Sequence, residues 1–169
     1  LNTGSTIGQA ASFQVYGTSS ITGSDITLNN PGNVMLGAVD FTGRNVSLAA
    51  GNAVLQVGPG TATGGLTLAG KSITQSGKLT VLGATSVSAT GNITLSDSTN
   101  SLASPVTVAS GGNTTLNAGN ALIMGNSSVG GSFQSSSLGI DQVLGATLFV
   151  TGPSTIDVTA AGDILLDNA

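Results

Sequence analysis

Side chains that could do acid–base or ionic chemistry are few in this chain of 169 residues. It has no histidine, cysteine or glutamate, and its only basic residues are Arg44, Lys71 and Lys78. The seven acidic residues are Asp25, Asp40, Asp97, Asp141, Asp157, Asp163 and Asp167. Cleaving a polysaccharide requires clustered carboxylates, or carboxylates beside Arg or Lys. Asp40 near Arg44 is the best local pair, and we interpret it as a surface ion pair. We therefore predict no catalytic residues and no enzymatic activity.

Aspartate and asparagine recur at one position of the sequence pattern. Asp25, Asn92 and Asp163 each directly precede an isoleucine. If they stacked at one corner of the fold, their oxygens could hold Ca²⁺. Asn and Asp also favour tight turns for their own sake, and we favour this interpretation. The calcium-binding nonapeptide repeat of β-rolls is absent. The sequence therefore predicts neither a metal site nor a cofactor.

Hydroxyl residues also recur, and one regular series consists of Thr27, Ser47, Thr67, Ser88 and Thr107. The series resembles the threonine arrays of ice-binding solenoids, but those are flat arrays of paired Thr-x-Thr. This series is a single column because its neighbours are apolar. We interpret it as a solvated column on a β-surface. Asn-x-Ser/Thr triplets begin at positions 45, 92, 113 and 126. The first three of these asparagines are interpreted as turn residues that lead into strands.

The elements that must position these residues are short β-strands. Residues 25–28, 45–48 and 65–68 alternate apolar and small hydroxyl residues, which is typical of a strand with one buried face. The leading apolar residues of these segments form a ladder that continues to later coils, predicted as Ile26, Val46, Leu66, Val87 and Val106. A second ladder is predicted from Val34, Val54, Ile73 and Ile93.

Both ladders have steps of about 20 residues, which indicates a coil that closes on itself and repeats. Connections between parallel strands are overwhelmingly right-handed. We therefore predict an all-β fold, a right-handed parallel β-helix (solenoid). It should have three strands and about 20 residues per coil, and roughly eight coils.

A longer repeat overlies the coils. The run Ile26-Thr-Leu-Asn-Asn recurs in similar form at Ile93 and again at Ile164. This pattern predicts a single β-helical domain over residues 1–169, with superrepeats at approximately 24–90 and 91–161 and a third that begins at 162. If a short strand lies near Thr61, each superrepeat holds ten strands. Each superrepeat should then begin one face further round the coil.

Composition excludes several classes of function. The net charge is −4, and three basic residues cannot neutralise a row of phosphates, so we predict no nucleic-acid partner. No apolar run approaches the roughly 20 residues of a membrane span. The absence of cysteine fits a secreted bacterial fibre. Without an initiating methionine or a signal peptide, the chain is expected to be part of a longer protein.

The sparse aromatic residues are expected to fill the core or corners: Phe13, Tyr16, Phe41, Phe133 and Phe149.

Three runs carry a family resemblance: Ile-Thr-Gln-Ser-Gly at 73–77, Gly-Lys-Leu-Thr-Val at 77–81 and Gly-Asn-Ile-Thr-Leu at 91–95. They resemble runs in the shafts of large exoproteins of bacterial two-partner secretion, the filamentous-haemagglutinin-like adhesins. The resemblance covers roughly residues 21–169. It implies a right-handed β-helical shaft, export across the outer membrane in unfolded form, and a role in adhesion or as a spacer.

We therefore expect a non-catalytic structural or adhesive shaft segment of a large secreted bacterial surface protein, which presents or spaces a binding region from the cell. Its expected partners are a host-cell or surface receptor or glycan, or other bacterial cells, and an outer-membrane transporter during export. The alternatives are a carbohydrate-binding or carbohydrate-active β-helix protein, or the shaft of a contact-dependent toxin-delivery exoprotein. Open strand edges at the ends of the isolated chain also predict end-to-end self-stacking.

Overall fold

The computed structural model describes residues 4–159 and 162–166. These residues form strands and no helix, in the order β1 (Gln14–Val15), β2 (Ser19–Thr22), β3 (Asp25–Leu28), β4 (Val34–Met35), β5 (Val39–Gly43), β6 (Asn45–Ala49), β7 (Val54–Ala62), β8 (Leu66–Gly70), β9 (Ser72–Gln75), β10 (Leu79–Val81), β11 (Thr85–Ala89), β12 (Ile93–Leu95), β13 (Ser101–Leu102), β14 (Val106–Ser110), β15 (Thr114–Asn117), β16 (Leu122–Met124), β17 (Ser127–Val129), β18 (Phe133–Ser137), β19 (Ile140–Gln142), β20 (Leu148–Val150), β21 (Ser154–Val158) and β22 (Ile164–Leu165).

The strands build three walls around one core, and strands that pair between coils run parallel. The first wall contains β3, β6, β8, β11, β14, β17 and β20. The second contains the start of β7 followed by β9, β12, β15, β18 and β21, and the pair β1 and β4 precedes it. The third contains β2, β5, the end of β7, β10 and β13. Strand β7 turns a corner, because residues 54–57 pair with β9 and residues 60–62 pair with β10.

The third wall continues beyond β13 through a side chain. The Leu102 N–H donates to Asn120 Oδ1 at 2.9 Å, and Asn120 Nδ2 donates to the Leu102 carbonyl at 2.9 Å. Strand β16 also pairs with β14 of the first wall, through Met124 and Val106 at the corner between the walls. In later coils β16 pairs with β19, and β19 pairs with β22. The result is a parallel β-solenoid of about eight coils, each roughly 20 residues long, as the sequence predicts.

The core is one continuous column of apolar side chains enclosed by the three walls. Ile26 pairs with Val46 and Val46 with Leu66 in successive coils, and all three are buried, which confirms the start of the first predicted ladder. Each buried side chain of this kind contributes roughly 1.5–3 kcal/mol to folding. The core therefore extends along the axis of the coils and repeats with each of them.

The first ladder was predicted wrongly at Val87. Thr85 pairs with Leu66 and with Val106, whereas Val87, two residues further along the strand, pairs with Leu68. Both Thr85 and Val87 point into the core, so alternation of apolar residues selects the correct face for either one. It does not distinguish registers that differ by two residues.

The second ladder was also wrong, at its first two members. Val54 is 48% exposed, and the buried residues are Met35 and Leu55, one position later in each strand. Leu55 pairs with Ile73, so the ladder is correct from that rung onward. Each of these strands carries two adjacent apolar residues, and a shift of one residue exchanges the inner and outer faces of a strand.

The long repeat advances by one wall, as ten strands per superrepeat predict. Ile26 lies in β3 on the first wall and Ile93 in β12 on the second. Ile164 lies in β22, which follows the second-wall strand β21 in the chain and so takes the third place in the coil, although its row of strands is joined to the sheet of the first wall through β14. The superrepeat boundaries near 24–90 and 91–161 stay a prediction.

Candidate functional site

The ion pair of Arg44 forms with Asp25 and not with the predicted Asp40. Arg44 Nη2 lies 2.5 Å from Asp25 Oδ2, and Arg44 Nε donates to Asp25 Oδ1 at 3.0 Å. The two residues are neighbours because one coil returns the chain to the same corner. Asp40 lies on β5, where its carboxylate faces the backbone of Gly58 in the next coil.

Two carboxylates are held in their ionised form by hydrogen bonds. The bond from Arg44 lowers the pKa of Asp25 from 3.8 to about 2, and the backbone N–H of Asn45 adds to this while partial burial opposes it. The Thr99 side chain and backbone N–H likewise lower the pKa of Asp97. Groups of this kind are poor proton acceptors near neutral pH, where general bases need a higher pKa.

The stacked arrangement considered for Asp25, Asn92 and Asp163, as the alternative to a turn role, does not form. Because the superrepeat advances by one wall, these residues precede strands on three different walls. Each corner position stacks on the coils next to it: Asn113 N–H donates to Asn92 Oδ1 at 2.9 Å. In the described ranges, no three potential metal-binding side chains gather into a group that could hold an ion.

The corner asparagines bind the backbone of the next coil. Asn92 and Asn113 directly precede β12 and β15, whereas Asn45 is the first residue of β6. Their Oδ1 atoms accept a backbone N–H from a residue about one coil later, at 2.9–3.0 Å. The donors are Gly65 for Asn45, Asn113 for Asn92, Ser132 for Asn113 and Thr147 for Asn126. These side chains are therefore occupied in holding coils together.

The hydroxyl column on the first wall exists, with one member changed. Its paired rungs are Thr27, Ser47, Thr67, Ser86 and Thr107. The predicted Ser88 lies in the adjacent column, between Ala69 and Ala109. The cause is the two-residue register error that misplaced Val87.

Two further hydroxyl ladders were not predicted. The third wall carries Thr22, Thr42, Thr61, Thr80 and Ser101 on paired positions, and the second carries Thr74, Thr94 and Thr115. The signal for them was available, because each residue lies between two inward positions of a short strand. With rungs about 4.8 Å apart, all three walls present neutral hydrogen-bonding groups to solvent.

The aromatic residues divide between core and surface. Phe41 and Phe133 are buried and Phe13 packs against the core, as predicted, while Tyr16 is exposed at the corner after β1. The prediction was wrong for Phe149, which is 64% exposed on the outer face of β20. Phe149 borders a shallow depression of about 300 Å³ that is otherwise lined by small and polar residues.

Two buried asparagines, Asn33 and Asn100, were also missed. They are 1% and 0% exposed and lie in turns that precede β4 and β13. Their signal in the sequence is positional: each follows its superrepeat isoleucine, Ile26 or Ile93, by seven residues.

Together these features define the class, a parallel β-solenoid built from superrepeats with hydroxyl-lined walls. The chain belongs to the family described as repeats of unknown function (DUF5649), whose model matches residues 1–42, 43–109 and 111–169. No curated protein and no solved structure matches the chain. None of the residues that the structure describes forms a helix able to cross a membrane.

Proposed function

We propose that this chain is a non-catalytic structural or adhesive shaft segment of a large secreted bacterial surface protein, which presents or spaces a binding region from the cell. The observation that carries the proposal is the unbroken parallel pairing from coil to coil along the first wall, from β3 to β20, and along the second, from β7 to β21. At a strand spacing of about 4.8 Å, eight coils make a rod about 40 Å long. Such a rod holds its two ends at a fixed separation.

The distribution of charge supports a passive role. Asp25 is engaged by Arg44, and Asp97 is bonded within its own turn by Thr99. Thr and Ser ladders run along the outer faces of all three walls. Hydroxyl groups are hydrated and uncharged, and they are not the ionisable groups that acid–base catalysis uses.

The shaft repeats that resemble two-partner secretion exoproteins support secretion to the cell surface through an outer-membrane transporter. The proposed partners are a receptor or glycan on a host cell or other surface, or other bacterial cells. A toxin-delivery exoprotein would use the same shaft. Phe149, as an exposed aromatic ring, is the observation that favours the carbohydrate-binding alternative.

The test is a coil deletion in the full-length protein on the cell surface. Removing residues 46–65 takes out one coil and places Leu66 on the rung beside Ile26, so the walls stay aligned. A spacer predicts that adhesion, measured by counting attached cells under flow, declines only slightly. The matched surface variant, Thr42→Ala/Thr61→Ala/Thr80→Ala, should leave adhesion unchanged.

A second arm separates spacing from binding by this segment. The isolated chain is added as a competitor, with and without Phe149→Ala. A spacer does not inhibit adhesion in either form. Inhibition that Phe149→Ala removes would establish the carbohydrate-binding alternative, and release of sugars from a glycan mixture would overturn the non-catalytic proposal.

A further inference from the structure

The interior contains two polar contacts that recur with the superrepeat, which we call amide clasps. In each, a glutamine side chain of one coil meets a buried asparagine of the next: Gln9 with Asn33, and Gln75 with Asn100. Burying an amide without partners costs roughly 1–3 kcal/mol, so these side chains are stable only when their bonds form.

The Gln75–Asn100 clasp is fully connected. Gln75 Nε2 donates to Asn100 Oδ1 at 2.5 Å, and Asn100 Nδ2 donates back to Gln75 Oε1 at 3.1 Å. The Leu79 N–H also donates to Asn100 Oδ1, at 2.8 Å. Asn100 Nδ2 reaches the Asn117 carbonyl at 3.1 Å, and the Asp97 N–H donates to Gln75 Oε1 at 3.2 Å.

The Gln9–Asn33 clasp repeats these bonds one superrepeat earlier. Gln9 Nε2 donates to Asn33 Oδ1, and Asn33 Nδ2 donates back to Gln9 Oε1 at 3.1 Å. The Phe13 N–H donates to Asn33 Oδ1 at 3.3 Å, Asn33 Nδ2 reaches the Ala49 carbonyl at 3.1 Å, and the Asn30 N–H donates to Gln9 Oε1 at 3.2 Å. Because the same hydrogen-bond network occurs twice, one superrepeat apart, it is a recurring feature of the superrepeat.

Each clasp spans three coils. Asn100 binds Gln75 and Leu79 in the preceding coil and Asn117 in the following one, while it lies in the coil between them. Its polar atoms are therefore satisfied only when three successive coils are aligned in one register.

The apolar ladders do not fix that register by themselves. Because side chains alternate with period 2, a slip of two residues returns apolar residues to the core. The length of the coil does not fix it either, because paired residues are 18 apart at Leu55 and Ile73 and 21 apart at Thr85 and Val106. A further interaction must therefore favour the native register over registers slipped by two residues.

We propose that the amide clasps are register locks, one in each superrepeat. A two-residue slip of β13 against β10 would move Asn100 away from Gln75 and from the Leu79 N–H, and leave the buried Asn100 Oδ1 without these partners. The first clasp lies between the first and second walls and the second lies between the second and third. The locks therefore fix successive corners of the solenoid.

The test measures register by disulfide formation between outward cysteines in the full chain. Thr80 and Ser101 are paired rungs, so Thr80→Cys/Ser101→Cys reports the native register. Thr80→Cys/Ala103→Cys reports a slip of two residues. With the clasp intact, the native pair should cross-link and the slipped pair should stay at background. With Gln75→Leu/Asn100→Leu added, the slipped pair should cross-link to an extent comparable with the native pair.

Controls separate a register lock from a merely stabilising contact. Thr114→Val removes a different buried hydrogen bond, to Ser110, and should leave only the native cross-link. Asn33→Leu, in the other clasp, should also leave the pattern at 80, 101 and 103 unchanged. Should the double leucine variant not fold, Gln75→Leu alone replaces it, since it removes the glutamine half of the clasp and leaves Asn100 bonded to the Leu79 N–H and the Asn117 carbonyl. Clasp variants that lower stability and still form only the native cross-link would overturn the proposal.

Discussion

At the scale of single residues, Thr85 carries a hydroxyl that is buried in the core without a partner among the described residues. Within the described part of the chain, its Oγ1 has no hydrogen-bond partner, although the residue is only 1% exposed. Valine has nearly the same shape and carries no hydroxyl. We predict that Thr85→Val stabilises the chain by about 1 kcal/mol, measured by urea unfolding. Thr114→Val is the matched control, because the Thr114 hydroxyl is bonded to Ser110 at 2.8 Å, and it should destabilise by about 1 kcal/mol. Equal effects from the two variants would contradict the prediction.

The Asp25–Arg44 pair makes stability depend on acidity. The pKa of Asp25 is lowered from 3.8 to about 2 in the folded chain, so the unfolded chain binds this proton more readily. The contribution of the pair is complete above about pH 4 and is lost as the pH falls towards 2. We predict that Asp25→Asn and Arg44→Gln each reduce the loss of thermal stability between pH 4 and pH 2. If both variants lose as much stability as the unmodified chain, the pair has no such role.

At the scale of the strand, the two faces should differ sharply in tolerance. Val46 is 2% exposed between Ile26 and Leu66, whereas Thr67 is an exposed rung of the outer ladder. We predict that Val46→Asp destabilises by more than about 4 kcal/mol or prevents folding, because it buries an unpaired charge. Thr67→Asp adds the same charge outside and should cost less than about 1 kcal/mol. Far-UV circular dichroism with a thermal melt measures both, and similar melting of the two variants would contradict the assigned faces.

Strand positions and the solenoid itself could be predicted from the sequence, because period-2 alternation and a repeat near 20 residues are local signals. The register could not. Alternation permits slips of two residues, so it does not distinguish Thr85 from Val87 as the partner of Leu66. It does not show which of Val54 and Leu55 points inward either, because both are apolar. Both errors concern the offset between coils, which local patterns do not encode.

The polar contacts were also predictable only where they depend on local sequence, and not where they depend on the offset between coils. The position of Asn92 and Asn113 directly before a strand follows from residue type and local pattern, and the structure confirms it. The partner of Arg44 depends on which residue the preceding coil brings to that corner, so Asp40, close in sequence, was chosen over Asp25. The amide clasps join residues 24 and 25 positions apart and require the same knowledge of the offset.

At the scale of the whole molecule, the described rod has two chemically different ends. The coil at the amino-terminal end opens into a cavity of about 490 Å³ lined by apolar residues that include Phe13, Val15 and Ile21. Residues 4–23 contain no charged side chain. The opposite end has an opening of about 340 Å³ lined by residues that include Val150 and Ile156, and it also carries the exposed Asp157 and Asp163. Joining two aspartate-bearing ends would bring like charges together, whereas joining unlike ends would not.

We therefore predict that the isolated 169-residue chain associates end to end, preferentially with unlike ends together. Open edges of parallel strands can pair with another chain, and the apolar linings of both ends would be covered in the joint. Sedimentation velocity at rising concentration should show growing, elongated species. Val15→Lys or Ile156→Lys adds a charge to one end and should restore the monomer, because a lysine at an open edge opposes pairing. Thr67→Lys adds the same charge in mid-rod and should leave association unchanged. A strict monomer at all concentrations, or equal loss of association in all three variants, would show that the ends do not mediate contact.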